Sequence, residues 1–185
     1  MNRFFPPRPE NLFIMRARSG VIAFYVFAAL GALLLGESAF RGRWDVVFSA
    51  LPWTLLVLWV LLITAYLPYI GYSDRAVVVY NILRRHEFPW AAVTKITDHH
   101  QFVFMLREGA PIKAWGGPVG GRPRGNGLGT MKPVDRTAVT PLDHLTDKWQ
   151  TGRGLSMGKR AQTTWNVPAI VLGLVLIVWC GLTLI

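Results

Sequence analysis

The sequence predicts a membrane protein of mixed α+β class, in which three apolar helices flank a small antiparallel β-domain. The first observation is that 52% of its 185 residues are hydrophobic and only 16% are charged, whereas soluble domains carry about 25% charged residues. The second is that residues 19–36, 46–73 and 161–185 contain no Asp, Glu, Lys or Arg. Each run is long enough to cross a hydrocarbon core, which takes about 20 residues. The third is that short β-branched and aromatic segments, separated by turn residues, fill the middle of the chain.

Residues 1–19 are predicted to form a basic N-terminal tail. Four arginines stand against one glutamate there, a net charge of +3, and three prolines lie near the start. Prolines favour extended backbone, so we expect no helix before Glu10. Residues 12–15 belong either to a headgroup-bound segment or to a disordered tail, and the basic composition favours the tail. The apolar run that follows exceeds a signal-peptide core and lacks a cleavage site, so we expect a retained anchor.

A two-helix transmembrane hairpin is predicted over residues 20–72. Its helices, at 20–40 and 46–72, are joined by a short loop and must therefore be antiparallel. The second helix is longer than a bilayer requires, so we expect tilt, or a kink or end near Pro68.

The distribution of Lys and Arg predicts the orientation. The tail carries +3, the loop between the first two helices is neutral, and residues 73–164 hold fourteen basic against seven acidic residues, a net +7. The positive-inside rule places the tail and residues 73–164 in the cytoplasm of a cell-membrane protein. Three spans then leave the C-terminus outside.

Residues 73–152 are predicted to form the cytoplasmic β-domain. Its expected strands are 76–80, 83–88, 92–97, 101–107 and 112–115. Short turns join them into an antiparallel meander that must cover its apolar face or close into a barrel.

A glycine-rich loop at 116–130 interrupts this domain, with seven glycines in fifteen residues. It is either a linker or a cradle that binds an anion through Arg122 and Arg124. It lacks the Gly-Lys-Ser/Thr ending of a phosphate-binding loop, which favours the linker.

A capping helix is predicted over residues 141–151. Pro141 suits the first helical position, and Leu142, Leu145 and Trp149 share one apolar stripe. This helix either closes one end of the β-domain or lies on the membrane, and its mixed flanking charges favour packing on the domain. Residues 153–185 then form a basic anchor and a third transmembrane helix.

A pattern of residues in the β-domain has a counterpart in a known family. The pattern is Asp74-Arg75, Val77-Val79, Asn81, Leu83-Arg84-Arg85, Phe88-Pro89-Trp90, Val93, Ile96 and a strand that ends at Glu108-Gly109. Together with two preceding apolar helices, it resembles the bacterial pleckstrin-homology-like (PH-like) domains of actinobacterial membrane proteins. The resemblance covers residues 20–117 and implies a partly open barrel with a capping helix, but no enzyme and no defined ligand. The glycine-rich loop and the third helix depart from the family pattern.

Pro89 and Trp90 are expected to be structural. Proline ends the strand, and the large indole then plugs the open end of a small barrel.

Catalytic and metal chemistry finds little support in the sequence. The cluster Asp98-His99-His100 is tempting, but adjacent residues of a strand point to opposite faces, so a turn is the better interpretation. The single cysteine, Cys180, cannot form a disulfide within the chain. No nucleophile or metalloprotease motif occurs. We therefore expect no enzyme and no cofactor.

The sequence favours a non-enzymatic, multi-pass membrane protein that presents a binding or assembly module at the inner leaflet. The alternative is an accessory subunit or assembly factor of a larger membrane complex, or a homo-oligomer. Candidate contacts for anionic headgroups are Arg84, Arg85, Lys95, Arg122, Arg124, Arg153, Lys159 and Arg160. Nucleic acid is not expected as a partner, because the basic segment is interspersed with acidic residues and carries no binding motif.

Overall fold

The computed structural model describes residues 12–98, 101–117, 141–154 and 161–184. This part of the chain contains four α-helices and eight β-strands. The glycine-rich loop beyond residue 117 and both histidines of the Asp98-His99-His100 cluster lie outside it. The mixed α+β class with antiparallel sheets is confirmed.

Two helices have the length and composition of membrane spans. Helix α1 covers Arg18–Phe40, and helix α2 covers Trp44–Leu61 and continues through a π-helical turn at Leu62–Tyr66. Both are long and apolar enough to cross a bilayer, judged by length and composition. Helix α4, Val167–Leu182, is equally apolar but shorter, at 16 residues.

Helix α2 lies between the other two apolar helices. It packs on α1 on one side and on α4 on the other. The buried residues of α4 are Ala169, Gly173, Leu176 and Cys180. Their spacing of three to four residues places them on one stripe of the helix. Within that stripe, Gly173 lies against the ring of Trp59 on α2.

The expected end of the second helix near Pro68 is confirmed, and the helix does not run on to Tyr72. The π-helical turn closes with a hydrogen bond from Leu67 N–H to Leu62 O of 2.7 Å, and Pro68 follows. Because proline has no N–H to donate, the helix cannot continue with regular bonding. Tyr69–Tyr72 instead forms a strand.

The strands form two antiparallel sheets. In chain order they are β1 Phe13–Met15, β2 Tyr69–Tyr72, β3 Ala76–Tyr80, β4 Arg84–Pro89, β5 Val93–Asp98, β6 Phe102–Leu106, β7 Ile112–Ala114 and β8 Gln162–Trp165. The larger sheet has the order β1-β2-β3-β4-β8, and the smaller has β5-β6-β7. The five predicted strands are β3 to β7, each within two residues of its expected bounds. Strands β1, β2 and β8 were not predicted, and β1 replaces the disordered tail expected at residues 12–15.

The expected meander divides at Pro89. A short 3-10 turn, Trp90–Ala92, follows this proline and redirects the chain into the second sheet. No ladder joins β4 to β5 among the described residues. The two sheets therefore meet through side chains.

The main core lies between the two sheets. Val77, Val79 and Phe88 of the larger sheet pack with Phe102 and Phe104 of the smaller one. Helix α3, Pro141–Gly152, adds the fully buried Leu145 to this core, with Leu142 and Trp149 packed beside it. The predicted capping helix is confirmed, with one residue added at its end.

The other face of the larger sheet packs on the apolar helices. Tyr69, Val78 and Tyr80 are buried there against Ile63 and Leu67 from the end of α2, and against Ala169 of α4. Strand β3 is thus covered on both faces, which explains why its sequence is a continuous apolar run rather than an alternating one.

Candidate functional site

The candidate site is the collar, the ring of residues through which the β-domain meets the ends of the apolar helices. We define the collar as Arg16, Ala17, Asn81, Ile82, Leu83, Arg84, Trp115, Gly116, Trp165 and Asn166. One backbone hydrogen bond, from Ala17 N–H to Gly116 O at 3.2 Å, fixes the start of α1 to the segment that follows β7. Another, from Asn166 N–H to Leu83 O at 2.9 Å, fixes the start of α4 to the β3–β4 turn.

Asn81 connects the two sheets within the collar. Its side-chain amide nitrogen donates to Lys113 O at 2.8 Å, and its side-chain oxygen accepts from Trp115 N–H at 3.0 Å. Its own backbone N–H donates to Arg84 O at 2.8 Å and closes the β3–β4 turn. The sequence places Asn81 between the predicted strands 76–80 and 83–88, but it does not reveal the connection to the other sheet.

Asn166 is the most buried polar residue of the collar. Its side-chain nitrogen donates to the Tyr80 hydroxyl, and its side-chain oxygen caps α4 by accepting from Ala169 N–H at 3.4 Å. The Tyr80 ring stacks on Tyr69, with ring centres 5.5 Å apart. Burial raises the pKa of Tyr80, so its hydroxyl stays protonated around neutral pH. This pair joins the sheet to α4.

We expect Asn166→Ala to lower the free energy of unfolding by about 1–3 kcal/mol, because it removes a cap and leaves the buried Tyr80 hydroxyl without its partner. Denaturant titration of the full-length protein in mild detergent measures this. The exposed neighbour Thr164→Ala is the matched control. The double variant Asn166→Ala/Tyr80→Phe should cost less than the two single changes added together, because the two side chains interact directly. Strict additivity would contradict the assigned pair.

The rim of the collar carries exposed tryptophans and a cation. Trp115 is 59% exposed and Trp165 is 53% exposed. The Arg84 guanidinium lies 3.9 Å from the centre of the Trp165 ring, opposite it in the β4–β8 ladder. Indoles combine a large apolar ring with one N–H donor, and they are enriched where apolar and polar environments meet. The rim therefore has the chemistry of an interfacial belt.

The structure does not bring the candidate headgroup contacts together. Of those it describes, only Arg84 lies in the collar. Arg85 has a side chain only 17% exposed and forms an ion pair with Glu87 at 3.0 Å. Its register partner is Tyr80, so Arg85 lies on the helix side of the sheet. Arg122, Arg124, Lys159 and Arg160 lie outside the described residues.

The other two described candidates lie away from the rim. Lys95 is exposed on β5 of the smaller sheet. Arg153 follows α3 and stacks on Trp149 at 4.6 Å. Helix α3 is fixed to the β2–β3 turn through Lys148 Nζ and Asp74 Oδ1, 2.7 Å apart, and that turn is at the opposite end of the strands from Tyr80. Arg153 therefore lies at the end of the β-domain away from the collar.

His86 contributes no charge to the collar at neutral pH. Burial, and then the nearby Arg84, lowers the pKa of His86 below its ordinary value of 6.5. Its Nδ1 lies 3.0 Å from Thr163 Oγ1 across the β4–β8 ladder. Within the described ranges, no three His, Cys, Asp or Glu side chains are grouped as metal ligands.

Pro89 and Trp90 lie at the end of the β-domain away from the collar. Trp90 is fully buried and donates its indole N–H to Ser73 O at 2.7 Å. A Cβ added to Gly152 of α3 would lie 2.4 Å from this ring, so the helix end rests directly on it. The indole thus fills the space between the β2–β3 turn and α3.

Comparison with protein-family models, with curated proteins and with solved structures finds no match for this chain. The collar is therefore interpreted from its own contacts and chemistry.

Proposed function

We propose that this chain is a multi-pass protein of the cell membrane that presents a cytoplasmic, PH-like β-domain as a non-enzymatic binding or assembly module. Helices α1, α2 and α4 serve as its three spans. The collar lies at the cytoplasmic headgroups, and the C-terminus lies outside.

The observation that carries the proposal is the outward apolar surface of all three helices. Leu33 of α1, Phe48 of α2 and Val178 of α4 are 63%, 64% and 62% exposed, and many apolar neighbours accompany them. Soluble monomers rarely expose contiguous apolar patches above a few hundred Å². In a hydrocarbon environment this surface is not exposed to water, so its unfavourable hydration is avoided.

The orientation is supported by which ends of the helices adjoin the β-domain. The start of α1, the end of α2 and the start of α4 all meet it. Strand β1 pairs with β2, so Arg16 and Arg18, which follow it, are on the same side. The positive-inside rule favours the cytoplasm for that side, and the exposed tryptophans of the rim suit the headgroup level.

A binding module is supported by the shape of the β-domain. The PH-like resemblance implies a partly open barrel with a capping helix, and the proposal is supported by two packed antiparallel sheets with α3 beside their core. Each Lys or Arg near an anionic leaflet contributes about 1 kcal/mol of attraction, and Arg84 is the described candidate best placed to do so.

Cysteine labelling tests the topology. Lys95→Cys, on the β-domain, is expected to react with an impermeant maleimide in inverted vesicles but not in intact cells. Arg41→Cys, in the α1–α2 loop, is expected to show the reverse. The wild type, whose Cys180 is buried, is the control. Labelling of Lys95→Cys in intact cells, or recovery of the protein in the soluble fraction, would overturn the proposal.

The second candidate function is an accessory subunit of a larger membrane complex, and a groove between α1 and α2 favours it. The groove has a volume of about 360 Å³ and is lined by Phe27, Leu30, Gly31, Leu34, Trp53, Thr54, Val57 and Leu58. Helix α1 has no buried residue, so a face remains free for a partner. Size analysis after gentle extraction tests this candidate, and a lone small particle would contradict it.

A further inference from the structure

Arg16 lies where β1 ends and α1 is about to begin, and its guanidinium faces two aromatic rings. Its Cζ atom lies 5.1 Å from the centre of the Tyr66 ring and 5.8 Å from that of Tyr69. These rings come from the π-helical turn of α2 and from β2. The π-helical turn and β2 therefore both contact the cation of the segment between β1 and α1. The face of an aromatic ring attracts the positive charge of a guanidinium. It does not accept hydrogen bonds from the N–H groups, which point outward in the guanidinium plane.

The cation of Arg16 lacks an anionic partner in the described part of the chain. Its Nε is buried and has no hydrogen-bond partner there. The ion pairs found there join other residues, namely Arg41 with Glu37, Arg85 with Glu87 and Lys148 with Asp74. A partly desolvated guanidinium without an anion is costly, because it loses hydration and gains no compensating charge. The site therefore suits an anion with several acceptor oxygens.

The position of the cluster indicates where that anion comes from. The Tyr66 ring also meets Tyr25, edge to face at 6.0 Å. Tyr25 is on the exposed, outward surface of α1, about 10 Å along the helix from Arg18 at 1.5 Å per residue. The cluster thus continues onto the surface that faces lipid in the proposed arrangement, close to the collar. The first turn of α1 contains no acidic residue that would repel an anion.

We propose that Arg16 is the centre of a binding site for the phosphodiester group of one anionic phospholipid from the cytoplasmic leaflet. This site rests on the proposed membrane insertion, and it differs from the diffuse attraction of the other basic residues. Tyr66 and Tyr69 flank the guanidinium, and its N–H groups donate to the phosphate oxygens. The unpaired charge of Arg16 favours a lipid with net negative charge over a zwitterionic one.

Native mass spectrometry of the full-length protein in mild detergent, titrated with phosphatidylglycerol, tests the site. We expect the wild type to retain one lipid preferentially. Arg16→Ala should weaken that lipid's affinity at least tenfold, which is the scale of a lost charged hydrogen bond. The lipid affinity of Arg16→Lys should lie between those of the wild type and Arg16→Ala, because an ammonium keeps the charge but lacks the planar arrangement of donors. Arg18→Ala removes the same charge two residues away and is the matched control, with an expected change below about threefold.

Several outcomes would overturn the site. Equal weakening by Arg16→Ala and Arg18→Ala would show diffuse electrostatics only. Equal binding of phosphatidylcholine would remove the anionic selectivity, and equal competition by inorganic phosphate would replace the lipid with a soluble anion. If Arg16→Ala does not fold, as judged by circular dichroism, Arg16→Lys decides: unchanged affinity overturns the site and a several-fold loss supports it. Failure of membrane insertion itself appears in the cysteine labelling, so the two proposals fail separately.

Discussion

Replacing Trp90 by alanine is expected to lower the free energy of unfolding of the β-domain by about 3–5 kcal/mol, the usual cost of deleting a large buried aromatic side chain. Trp90 is fully buried and its indole N–H bonds Ser73 O, so the change also removes a hydrogen bond. The space left behind cannot close easily, because the ring separates the β2–β3 turn from the end of α3.

Denaturant titration of the full-length protein in mild detergent, followed by far-ultraviolet circular dichroism, measures this loss. Trp115→Ala is the matched control, since it deletes the same side chain at an exposed position, and we expect a change below about 1 kcal/mol there. Trp90→Phe should recover part of the loss, because it refills most of the volume but not the hydrogen bond. Equal losses for Trp90→Ala and Trp115→Ala would contradict the assigned role.

The parts of the fold that local patterns could predict are those whose signals lie within one segment. Apolar runs predicted α1 and α2, because an uninterrupted apolar run of sufficient length identifies such a helix without information from the rest of the chain. Strands β3 to β7 are predicted by β-branched runs between turn residues, and α3 by Pro141 and its apolar stripe. Pro89 and Trp90 mark the change of sheet in the sequence itself, since proline ends a ladder wherever its N–H is needed.

The missed strands depend on pairing across long stretches of chain. Phe13 pairs with Tyr72 and Arg84 pairs with Trp165, and a strand of three or four residues carries too little pattern to reveal such partners. Strand β2 was the hardest to recognise, because Tyr69–Tyr72 continues the apolar run that predicts the second helix. Only Pro68 marked the boundary.

The candidate site was harder to predict than the fold. Charge counting treats every Arg alike, whereas the structure distinguishes them by their contacts. Glu87 neutralises Arg85, Trp149 covers Arg153, and tyrosines hold Arg16. Arg16 was counted only as a charge of the tail, because its aromatic partners are about 50 residues away in the sequence. Asn166 lies 86 residues from Tyr80 in the sequence, so the bond between them has no local signal.

The larger sheet packs on the core of the β-domain with one face and on the apolar helices with the other. One face of β3 belongs to the core between the sheets, and the other belongs to the cluster shared with α2 and α4. A displacement of β3 would therefore reach the ends of α2 and α4, because close-packed interiors transmit displacement. This coupling depends on α4 staying packed on α2.

Gly173→Val is expected to separate α4 from α2. A Cβ at this position would lie 2.2 Å from the Trp59 ring, whose indole N–H also donates to Ala169 O at 3.0 Å. In a membrane, helix packing depends on such close contacts of small residues rather than on the hydrophobic effect. Overpacking there should cost about 1–3 kcal/mol, or more if the helices part.

Cys180 provides a native reporter for this change. It is buried on the same stripe of α4, about two turns beyond Gly173, so N-ethylmaleimide should label it faster in Gly173→Val than in the wild type. Gly181→Val is the matched control, because a Cβ there meets nothing within 4 Å, and its labelling rate should stay close to that of the wild type. Equal rates in the two variants would show that α4 is not held by the contact between Gly173 and Trp59. Full labelling in denaturing detergent confirms in every variant that the thiol itself remains reactive.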